Sequence, residues 1–373
     1  MKKILFITPN KIFGKNGGSL GQKKIYDALK ELNFDEYDFN IMSLDDEIDN
    51  EIFNFKKNKI IDILSRCFLH SNYVNLYWKQ IKKIIKKNNY DIVILGNSKL
   101  GYIAKKIKNI FRNIKVIIHF DNVEYDYTTC LYEKSSLFKK KFELLNVKRE
   151  EKFSMKYSNV ICCLSKRDSK RLTELYNMDI TKKLCIYPVC LKQTLCLKEN
   201  QSKSRIIFVG TLNYLSNINA IFDFLPIFNS QNYFDEFIIG GVNPDKKIIE
   251  LAKINPRIKL KINFKNYEDI AKKGDILVSF IKNGAGMKVK VAEAMSLGLL
   301  ICGSSETFVG YEDDFKEDAG LFLCNSEKDF LSSFSKIVNL SFDEKMILSN
   351  KNIEIYKLKY SQKRSVDILK SVL

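Results

Sequence analysis

The sequence is poor in histidine and lacks the common metal-binding motifs. It contains two histidines, His70 and His119, so a histidine-based catalytic triad has only these to draw on. The nine cysteines include no C-x-x-C pair, and neither H-E-x-x-H nor D-x-D occurs. These absences argue against a disulfide framework and a zinc site of the usual spacing. We therefore expect reduced thiols and no bound metal.

Long apolar segments are missing as well. No apolar run approaches the roughly 18 residues that a membrane-spanning helix requires. The opening MKKILFITPN has too short an apolar core for a signal peptide before Pro9 interrupts it. We interpret it as the first strand of a cytoplasmic protein. A chain of 373 residues, 45% of them hydrophobic, is long enough to fill two domains.

Positive charge is concentrated in the first half of the chain. Residues 1–200 hold 38 Lys and Arg against 23 Asp and Glu, whereas residues 201–373 hold 24 against 21. An anionic membrane or a phosphorylated substrate would suit the first half, although a general bias toward Lys, Asn and Ile is an alternative explanation. No nucleic-acid-binding module is recognisable, so we expect no nucleic-acid partner.

Short, wholly apolar segments alternate with stretches of helical periodicity. The segments are KILFIT (3–8), YDIVILG (90–96), KVIIHF (115–120), NVICCLS (159–165), RIIFVG (205–210), EFIIGG (236–241), DILVSF (275–280), GLLICG (298–303) and GLFLC (320–324). Continuous apolar runs are typical of strands buried on both faces. Their alternation with helices predicts an α/β protein with doubly wound parallel sheets.

The periodicity is weakest after the strand-like KLCIY, where the chain becomes polar before RIIFVG. We place a domain boundary there and predict two Rossmann-like domains, 1–190 and 204–352, that face each other across a cleft. Residues 353–373 read as one helix that packs back on the first domain. In such folds, ligands bind at the carboxyl ends of the strands.

The segment GAGMKVKVAEAMSLG has the pattern of a glycine loop that opens a helix. Gly284 and Gly286 allow a ligand close to the backbone, and the helix start at Met287 and Lys288 favours an anion. Glu293, one turn further, could accept hydrogen bonds from a ribose diol. The segment predicts a nucleoside-diphosphate site. The alternative is an ordinary strand-to-helix turn, since the P-loop and G-x-G-x-x-G patterns are both absent.

Several segments together resemble a known family. They are TPNKIFGKNGGSLG, HFDNVEYDY, NVICCLSKRDSKRL, FVGTLNYLSNINAIFDFL and NGAGMKVKVAEAMSLGLLICGSSETFVGY. In this order they are similar to bacterial glycosyltransferases of the GT-B fold, in the retaining group 1 or family-four class. The resemblance covers nearly the whole chain. It implies a metal-independent transferase that uses a nucleoside-diphosphate sugar and holds no tightly bound cofactor.

The resemblance also assigns roles to individual residues. It implies that Lys288 contacts the donor diphosphate and Glu293 the nucleotide ribose. Gly17 and Gly18 would make room for the sugar phosphate from the opposite wall, and residues 306–310 would lie near the donor. One departure concerns the E-x7-E motif of many members, because Ala285 stands where its first glutamate is expected.

A second departure affects the candidate catalytic residues. Asp121 replaces the histidine that usually precedes N-V-E, and His119 lies two residues earlier. His119, Asp121 and Glu124 follow a predicted strand and could orient acceptor or sugar hydroxyls. Structural roles, a satisfied buried histidine and loop-capping acids, are the alternatives. Lys288, with Lys290 as a second candidate, would neutralise the leaving diphosphate.

The segment SNYVNLYWKQIKKIIKKNNY (71–90) reads as a basic amphipathic helix. It could lie on an anionic membrane surface, where a lipid-linked glycan acceptor would be anchored. The alternative is a helix packed on the first sheet with a solvated lysine face. Residues 137–153 form a second basic segment with the same ambiguity.

The favoured function is a transferase of capsule, lipopolysaccharide or exopolysaccharide biosynthesis. It would be cytoplasmic, peripheral on the inner face of the membrane, with a glycan or lipid-linked acceptor. Two alternatives keep the fold and change the role: a nucleotide-sugar epimerase, which the scarcity of histidine disfavours, and a catalytically inactive partner of another transferase.

Overall fold

The computed structural model describes residues 1–14, 17–33, 35–44, 48–133, 135–192, 197–199, 205–265, 267–284, 286–316 and 318–373. These residues form two compact units. Unit 1 comprises Met1–Pro188 and Ser365–Leu373, and unit 2 comprises Val189–Arg364.

Unit 1 is built on a seven-stranded parallel sheet. Its strands are β1 (Lys2–Ile7), β2 (Tyr37–Ser43), β3 (Glu51–Asn54), β4 (Ile92–Leu95), β5 (Lys115–Phe120), β6 (Val160–Cys163) and β7 (Leu184–Ile186). Their order is β3-β2-β1-β4-β5-β6-β7. Ile4 to Ile7 are fully buried, so both faces of β1 are covered. The direction of strand addition reverses between β1 and β4, which is where such sheets open a crevice for ligands.

In the part of unit 1 that the structure describes, seven α-helices lie between these strands. They are α1 (Gly17–Lys30), α2 (Lys59–Cys67), α3 (Trp78–Asn88), α4 (Gly101–Ile110), α5 (Glu124–Leu131), α6 (Leu137–Tyr157) and α7 (Lys166–Tyr176). Side chains at helix starts explain several of the boundaries. Asn58 accepts a hydrogen bond from the Ile61 amide to begin α2, and Ser165 accepts one from the Asp168 amide to begin α7.

Unit 2 is built on a six-stranded parallel sheet. Its strands are β8 (Ile206–Thr211), β9 (Phe237–Val242), β10 (Ile258–Ile262), β11 (Ile276–Ser279), β12 (Leu300–Gly303) and β13 (Leu321–Leu323). The helices are α8 (Leu215–Ser230), α9 (Lys246–Ile254), α10 (Val289–Ser296), α11 (Glu327–Asn339) and α12 (Phe342–Lys359). The strand order β10-β9-β8-β11-β12-β13 places the reversal between β8 and β11.

All nine strands expected from wholly apolar segments occur, and the doubly wound parallel architecture is confirmed. The strand-like KLCIY segment contains β7. Three further strands, β2, β3 and β10, were not expected. β3 and β10 are edge strands. In β10, apolar residues alternate with lysines, and four of its five residues are at least partly exposed. A search for continuous apolar runs therefore misses edge strands such as β3 and β10.

The C-terminal segment forms two helices where one was expected over residues 353–373. α12 ends at Lys359, and α13 (Gln362–Val372) follows after a break at Tyr360 and Ser361. α12 packs in unit 2, where Asn352 donates a hydrogen bond to the Leu299 carbonyl. The end of α13 belongs to unit 1, where the Ser365 hydroxyl lies 2.6 Å from the Tyr187 hydroxyl.

A helix that spans a bilayer must be both long and apolar, and this applies to each helix of the described residues. None of them combines the length and the apolar character that crossing a membrane demands.

Helices α4 and α6 approach each other closely at Gly101. A Cβ atom at this position would lie 1.9 Å from the Glu150 carbonyl oxygen, which is backbone and cannot turn away. Ser154, one turn further along α6, donates a 2.6 Å hydrogen bond to the Ser98 carbonyl. The glycine is therefore required by packing.

We predict that Gly101→Ala destabilises the protein by about 3 kcal/mol, because the added methyl group forces α4 away from α6. Urea unfolding followed by circular dichroism measures the change. Asn109→Ala is the matched control, since Asn109 is exposed on the same helix and should change stability by less than about 0.5 kcal/mol. Equal stability of Gly101→Ala and wild type would contradict the packing argument.

Candidate functional site

The loop between β11 and α10 lies at the strand-order reversal of unit 2. Gly286 has φ +65°, in the left-handed region that favours glycine. α10 starts at Val289, and its first turn has neither an acidic residue nor a side-chain cap. The Val291 amide donates to the Lys288 carbonyl at 3.1 Å, and no acidic side chain of this turn opposes an anion at the positive end of the helix dipole. Ala285 lies outside the described residues.

Lys288 lies over this loop and contacts both its backbone and Glu306. Its Nζ donates to the Gly286 carbonyl at 2.8 Å and to Glu306 Oε1 at 3.0 Å. A Cβ at position 284 would lie 3.1 Å from the same Nζ. A side chain at position 284 would thus crowd the Lys288 ammonium, and room for a ligand at Gly284 remains a prediction.

Residues of the 306–311 segment pack against the same loop. That residues 306–310 lie near the donor remains a prediction. Gly310 has φ +85°, and a Cβ there would lie 2.4 Å from Met287 Cγ. The Tyr311 hydroxyl donates to the Lys288 carbonyl at 3.0 Å. Met287 is buried and forms part of the packing. Met287 thus supports the loop by packing, whereas Lys288 and Glu306 are the charged residues beside it.

Lys290 is a buried lysine whose surroundings favour the neutral amine. Its Nζ donates to Asn217 Oδ1 at 3.0 Å and lies 4.0 Å from the centre of the Phe208 ring. Burial and the neighbouring charge of Lys288 lower the pKa of Lys290 to about 7, although Glu293 opposes the change. An anion bound nearby would restore its proton.

Glu293 lies one turn into α10 and receives a hydrogen bond from the Tyr267 hydroxyl at 2.8 Å. Burial raises the pKa of Glu293, and the bond from Tyr267 and the charge of Lys290 oppose that increase. Oε1, the second carboxylate oxygen, has no hydrogen-bond partner among the described residues. The carboxylate is thus oriented through one oxygen and can accept a ligand hydroxyl through the other.

A second polar cluster lies at the carboxyl ends of β4 and β5 in unit 1. Asp121 Oδ2 accepts hydrogen bonds from Gln22 at 3.0 Å and Asn97 at 3.4 Å. Glu124 accepts from Asn97 at 3.2 Å and from Lys99 at 2.8 Å. Burial acts to lower the pKa of Lys99, but the charge and hydrogen bond of Glu124 outweigh it and raise this pKa. The structure thus brings Asp121 and Glu124 together through Asn97.

His119 is buried beside this cluster. Its Nδ1 lies 3.1 Å from Asp121 Oδ1, but the contact lacks hydrogen-bond geometry, and neither ring nitrogen has a hydrogen-bond partner among the described residues. Burial and the charge of Lys24 lower the pKa of His119. Its ring packs edge-on against Tyr187, with centroids 5.7 Å apart. These features describe a neutral, buried imidazole.

Gly17 and Gly18 form the first residues of α1, the helix that leads to Gln22. A further glycine of this helix, Gly21, has a packing role, because a Cβ there would lie 2.5 Å from Asp121 Oδ1. Together with the 2.5 Å hydrogen bond from Gln22 to the Gly96 carbonyl, this places α1 tightly against the Asp121 cluster. The proposed contact of Gly17 and Gly18 with a sugar phosphate remains a prediction.

Two adjacent glutamates of α6 support the cluster and were not anticipated from the sequence. Glu151 accepts hydrogen bonds from the amides of Glu124 and Tyr125 at the start of α5, at 2.8 and 3.2 Å. Glu150 accepts from the Tyr102 amide in the first turn of α4 at 2.6 Å. Neither α4 nor α5 has a side-chain cap of its own. The only feature of the sequence that could have indicated this role is the pair of adjacent acids within the basic 137–153 segment.

Segment 71–90 forms α3 and the short helix before it, and its apolar side faces the interior. Val74, Ile81 and Ile85 are buried, while Trp78 and Ile84 pack against the same core. Of the two readings of this segment, the structure favours the packed helix with a solvated lysine face.

The chain resembles known proteins in its fold and not detectably in its sequence. No family model and no curated protein matches the sequence, but many solved structures match the fold. Sucrose-phosphate synthase from Thermosynechococcus elongatus is 10% identical with a TM-score of 0.69, covering 100% of this chain and 98% of that chain. Anabaena HepE in complex with UDP-glucose is 10% identical with a TM-score of 0.68, covering 100% and 99%.

The lipopolysaccharide outer core galactosyltransferase WaaB in its apo form is 14% identical with a TM-score of 0.65, covering 99% of this chain and 98% of that chain. At such identities the likeness shows the fold alone. The chain has the GT-B fold that these glycosyltransferases share.

We predict that Glu151 makes stability depend on pH. Burial raises its pKa to about 7, with Glu124 adding to the increase and the hydrogen bond from Tyr176 opposing it. The unfolded value is about 4.3, so the folded state binds more protons between these values. Stability should therefore fall by about 3 kcal/mol as pH rises from about 4.5 to 7.

Urea unfolding of wild type and Glu151→Gln across pH 4.5–8 measures this effect. The variant should be less stable overall, because an amide has one acceptor oxygen, but its stability should fall less steeply with pH. Glu133→Gln, at an exposed position, is the control and should retain the wild-type slope. Identical slopes for Glu151→Gln and wild type would show that Glu151 does not titrate in this range.

Proposed function

We propose that this protein is a glycosyltransferase that moves a sugar from a nucleoside-diphosphate sugar to a hydroxyl of a glycan or lipid-linked acceptor. The observation that carries the proposal is the cluster around the start of α10. There, two lysines and an oriented carboxylate lie at a helix start that has no acidic residue in its first turn, at the strand-order reversal of unit 2. The GT-B fold is consistent with this assignment, and the HepE structure contains UDP-glucose.

In the proposed donor site, Lys288 and the start of α10 bind the diphosphate, and Glu293 accepts a hydrogen bond from the ribose. Glu306 pairs with Lys288 at 3.0 Å in the structure. A diphosphate that binds Lys288 would compete with this ion pair or share the ammonium with it. Lys290 gains its proton when the anion arrives, which adds a second positive charge.

The chemistry needs charge stabilisation more than a strong base. As the anomeric C–O bond breaks, negative charge develops on the departing diphosphate, and Lys288, Lys290 and the start of α10 would offset it. This arrangement would supply the charge that a metal ion supplies in other transferases, so we propose a metal-independent reaction. Retention of configuration at the anomeric carbon is proposed from the resemblance to the retaining class.

In unit 1, Asp121 and Glu124 are proposed to orient acceptor or sugar hydroxyls. Their oxygens already accept hydrogen bonds from Gln22, Asn97 and Lys99, which fixes their direction. His119 is less suited to direct proton transfer, because it is buried and its pKa is lowered. We therefore assign it a supporting role beside Asp121.

The proposed pathway is the synthesis of a surface polysaccharide or lipopolysaccharide at the cytoplasmic face of the membrane. Two observations support it. The first half of the chain carries the positive excess that a phosphorylated, lipid-linked acceptor would require. WaaB, which shares the fold, is described as a lipopolysaccharide outer core galactosyltransferase.

The test is thermal unfolding of the purified protein with UDP, GDP, dTDP, ADP and NAD, followed by donor screening with sugars on the nucleotide that binds. One nucleoside diphosphate should raise the melting temperature of the wild type. Lys288→Ala and Glu293→Ala should weaken its binding by about tenfold, because each removes a charged partner.

Lys253→Ala and Glu250→Ala are the matched controls, because both residues are exposed on α9. They should leave the shift unchanged. If a folded wild-type protein shows no shift with any of the nucleotides, the donor-site proposal fails, and the inactive-partner alternative becomes the better reading.

Lys290 generates a separate prediction about protons. Because its pKa is about 7 without ligand, it is largely neutral at pH 8, and a bound diphosphate should recharge it. Affinity should therefore fall as pH rises from 7 to 9, with uptake of close to one proton on binding. Calorimetry in buffers of different ionisation enthalpy measures the uptake, which Lys290→Met should abolish. Binding of the wild type without proton uptake would refute the recharging of Lys290.

A further inference from the structure

Helix α2 presents its apolar residues to solvent. Ile60, Ile63, Leu64 and Phe68 are 68%, 63%, 44% and 65% exposed, and they recur at the three- and four-residue spacing of one helix face. The only buried residue of α2 is Ser65. Amphipathic helices of globular proteins normally turn the apolar face inward, whereas in α2 only Ile61 packs against the core and the outward apolar residues are uncovered by the part of the chain that the structure describes.

The first turns of α6 add to this surface. Leu137, Phe138 and Leu145 are 76%, 83% and 68% exposed. α6 neighbours α2, because Arg66 Nε lies 3.0 Å from Glu143 Oε1. We call the outward apolar residues of both helices the α2–α6 face: Ile60, Ile63, Leu64, Phe68, Leu137, Phe138 and Leu145.

The two segments that carry the α2–α6 face are rich in lysine. Residues 56–69 contain three lysines and one arginine against a single acid, and residues 137–148 contain four lysines against a single acid. Both acids, Asp62 and Glu143, contact Arg66, at 3.9 and 3.0 Å. The lysine charge around the face therefore remains largely uncompensated.

Three of the lysines in this part of unit 1 line a pocket. Lys11, Lys56 and Lys57, with Leu44, Asn54 and Phe55, enclose about 490 Å³. The pocket follows the carboxyl end of β3 and immediately precedes α2. A cationic pocket beside an apolar helix face matches a phosphate headgroup above its acyl chains.

We propose that the α2–α6 face docks on an anionic phospholipid bilayer. α2 lies in the plane of the interface, with Ile60, Ile63 and Phe68 among the upper acyl chains and the lysines at the level of the phosphates. This surface differs from segment 71–90, whose apolar side is buried. The proposal does not depend on the donor site or on transferase activity.

The lysine rim favours a bilayer over a second copy of this chain. In a symmetric dimer the same surface would face itself and bring both sets of lysines together without opposing charge. An anionic membrane provides the apolar phase and the opposite charge at once.

The test is co-sedimentation of the full chain with vesicles of equimolar phosphatidylglycerol and phosphatidylcholine, compared with phosphatidylcholine alone. The protein should bind the anionic vesicles and dissociate at high salt. The double variant Ile60→Ser/Ile63→Ser should bind about tenfold more weakly. Ile254→Ser/Leu358→Ser is the matched control, because these residues of unit 2 are 82% and 72% exposed, and it should bind as the wild type does.

A second pair of variants tests the lysines. Replacing Lys139, Lys140 and Lys141 with glutamine should weaken binding by about tenfold, whereas the same replacement of Lys83, Lys86 and Lys87 on α3 should have a smaller effect at equal net charge. A polarity-sensitive dye on Cys67, in a Cys130→Ser background, reports the position of α2. Its emission should shift to the blue on binding.

Three outcomes would overturn the proposal. One is a lack of binding to the anionic vesicles by the folded wild type. Another is an equal loss of binding in the test and control variants. The third is a dimer seen by light scattering that Ile60→Ser/Ile63→Ser dissociates while vesicle binding is absent, which would make the face a contact between copies of this chain.

Discussion

The first turn of a helix leaves backbone amides without partners inside the helix. What lies at the helix starts distinguishes the two candidate sites, the Asp121 and Glu124 cluster of unit 1 and the α10 loop of unit 2. In unit 1, Glu150 and Glu151 on α6 reach across to the starts of α4 and α5, which fixes the segments that carry Asn97 and Glu124. In unit 2, the described residues place no such carboxylate on the start of α10, where the Lys288 carbonyl accepts from the Val291 amide. Carboxylates therefore occupy the helix starts beside the Asp121 cluster, whereas the start of α10 carries lysines and can attract an anion.

The architecture could be predicted because its central strands are buried on both faces and so have continuous apolar sequences. What escaped prediction was the periphery. β10 has lysines on its exposed side, and the break between α12 and α13 at Tyr360 and Ser361 falls where the chain passes from unit 2 toward unit 1. Edge pairing and helix docking are set by tertiary contacts, which a local pattern does not contain.

The site could be predicted in part. Lys288 and Glu293 have the surroundings expected of a charged loop, but their partners, Glu306 and Tyr267, are 18 and 26 residues away in sequence and no spacing rule connects them. The sequence could not show that the Lys288 ammonium lies close to Gly284, where an added Cβ would lie 3.1 Å from its Nζ. The amphipathic pattern of α2 indicates a two-faced helix, yet only the fold shows that its apolar face points outward.

Unit 1 is discontinuous along the chain, and this has a consequence for synthesis on the ribosome. Residues 365–373 belong to unit 1, where Ser365 contacts Tyr187 and the Leu373 carbonyl accepts a hydrogen bond from Lys2 at 3.1 Å. These residues emerge only after all of unit 2 has been translated. The first unit to be made is therefore the last to be completed, and the nascent sheet must wait with the surface for α13 uncovered while unit 2 folds.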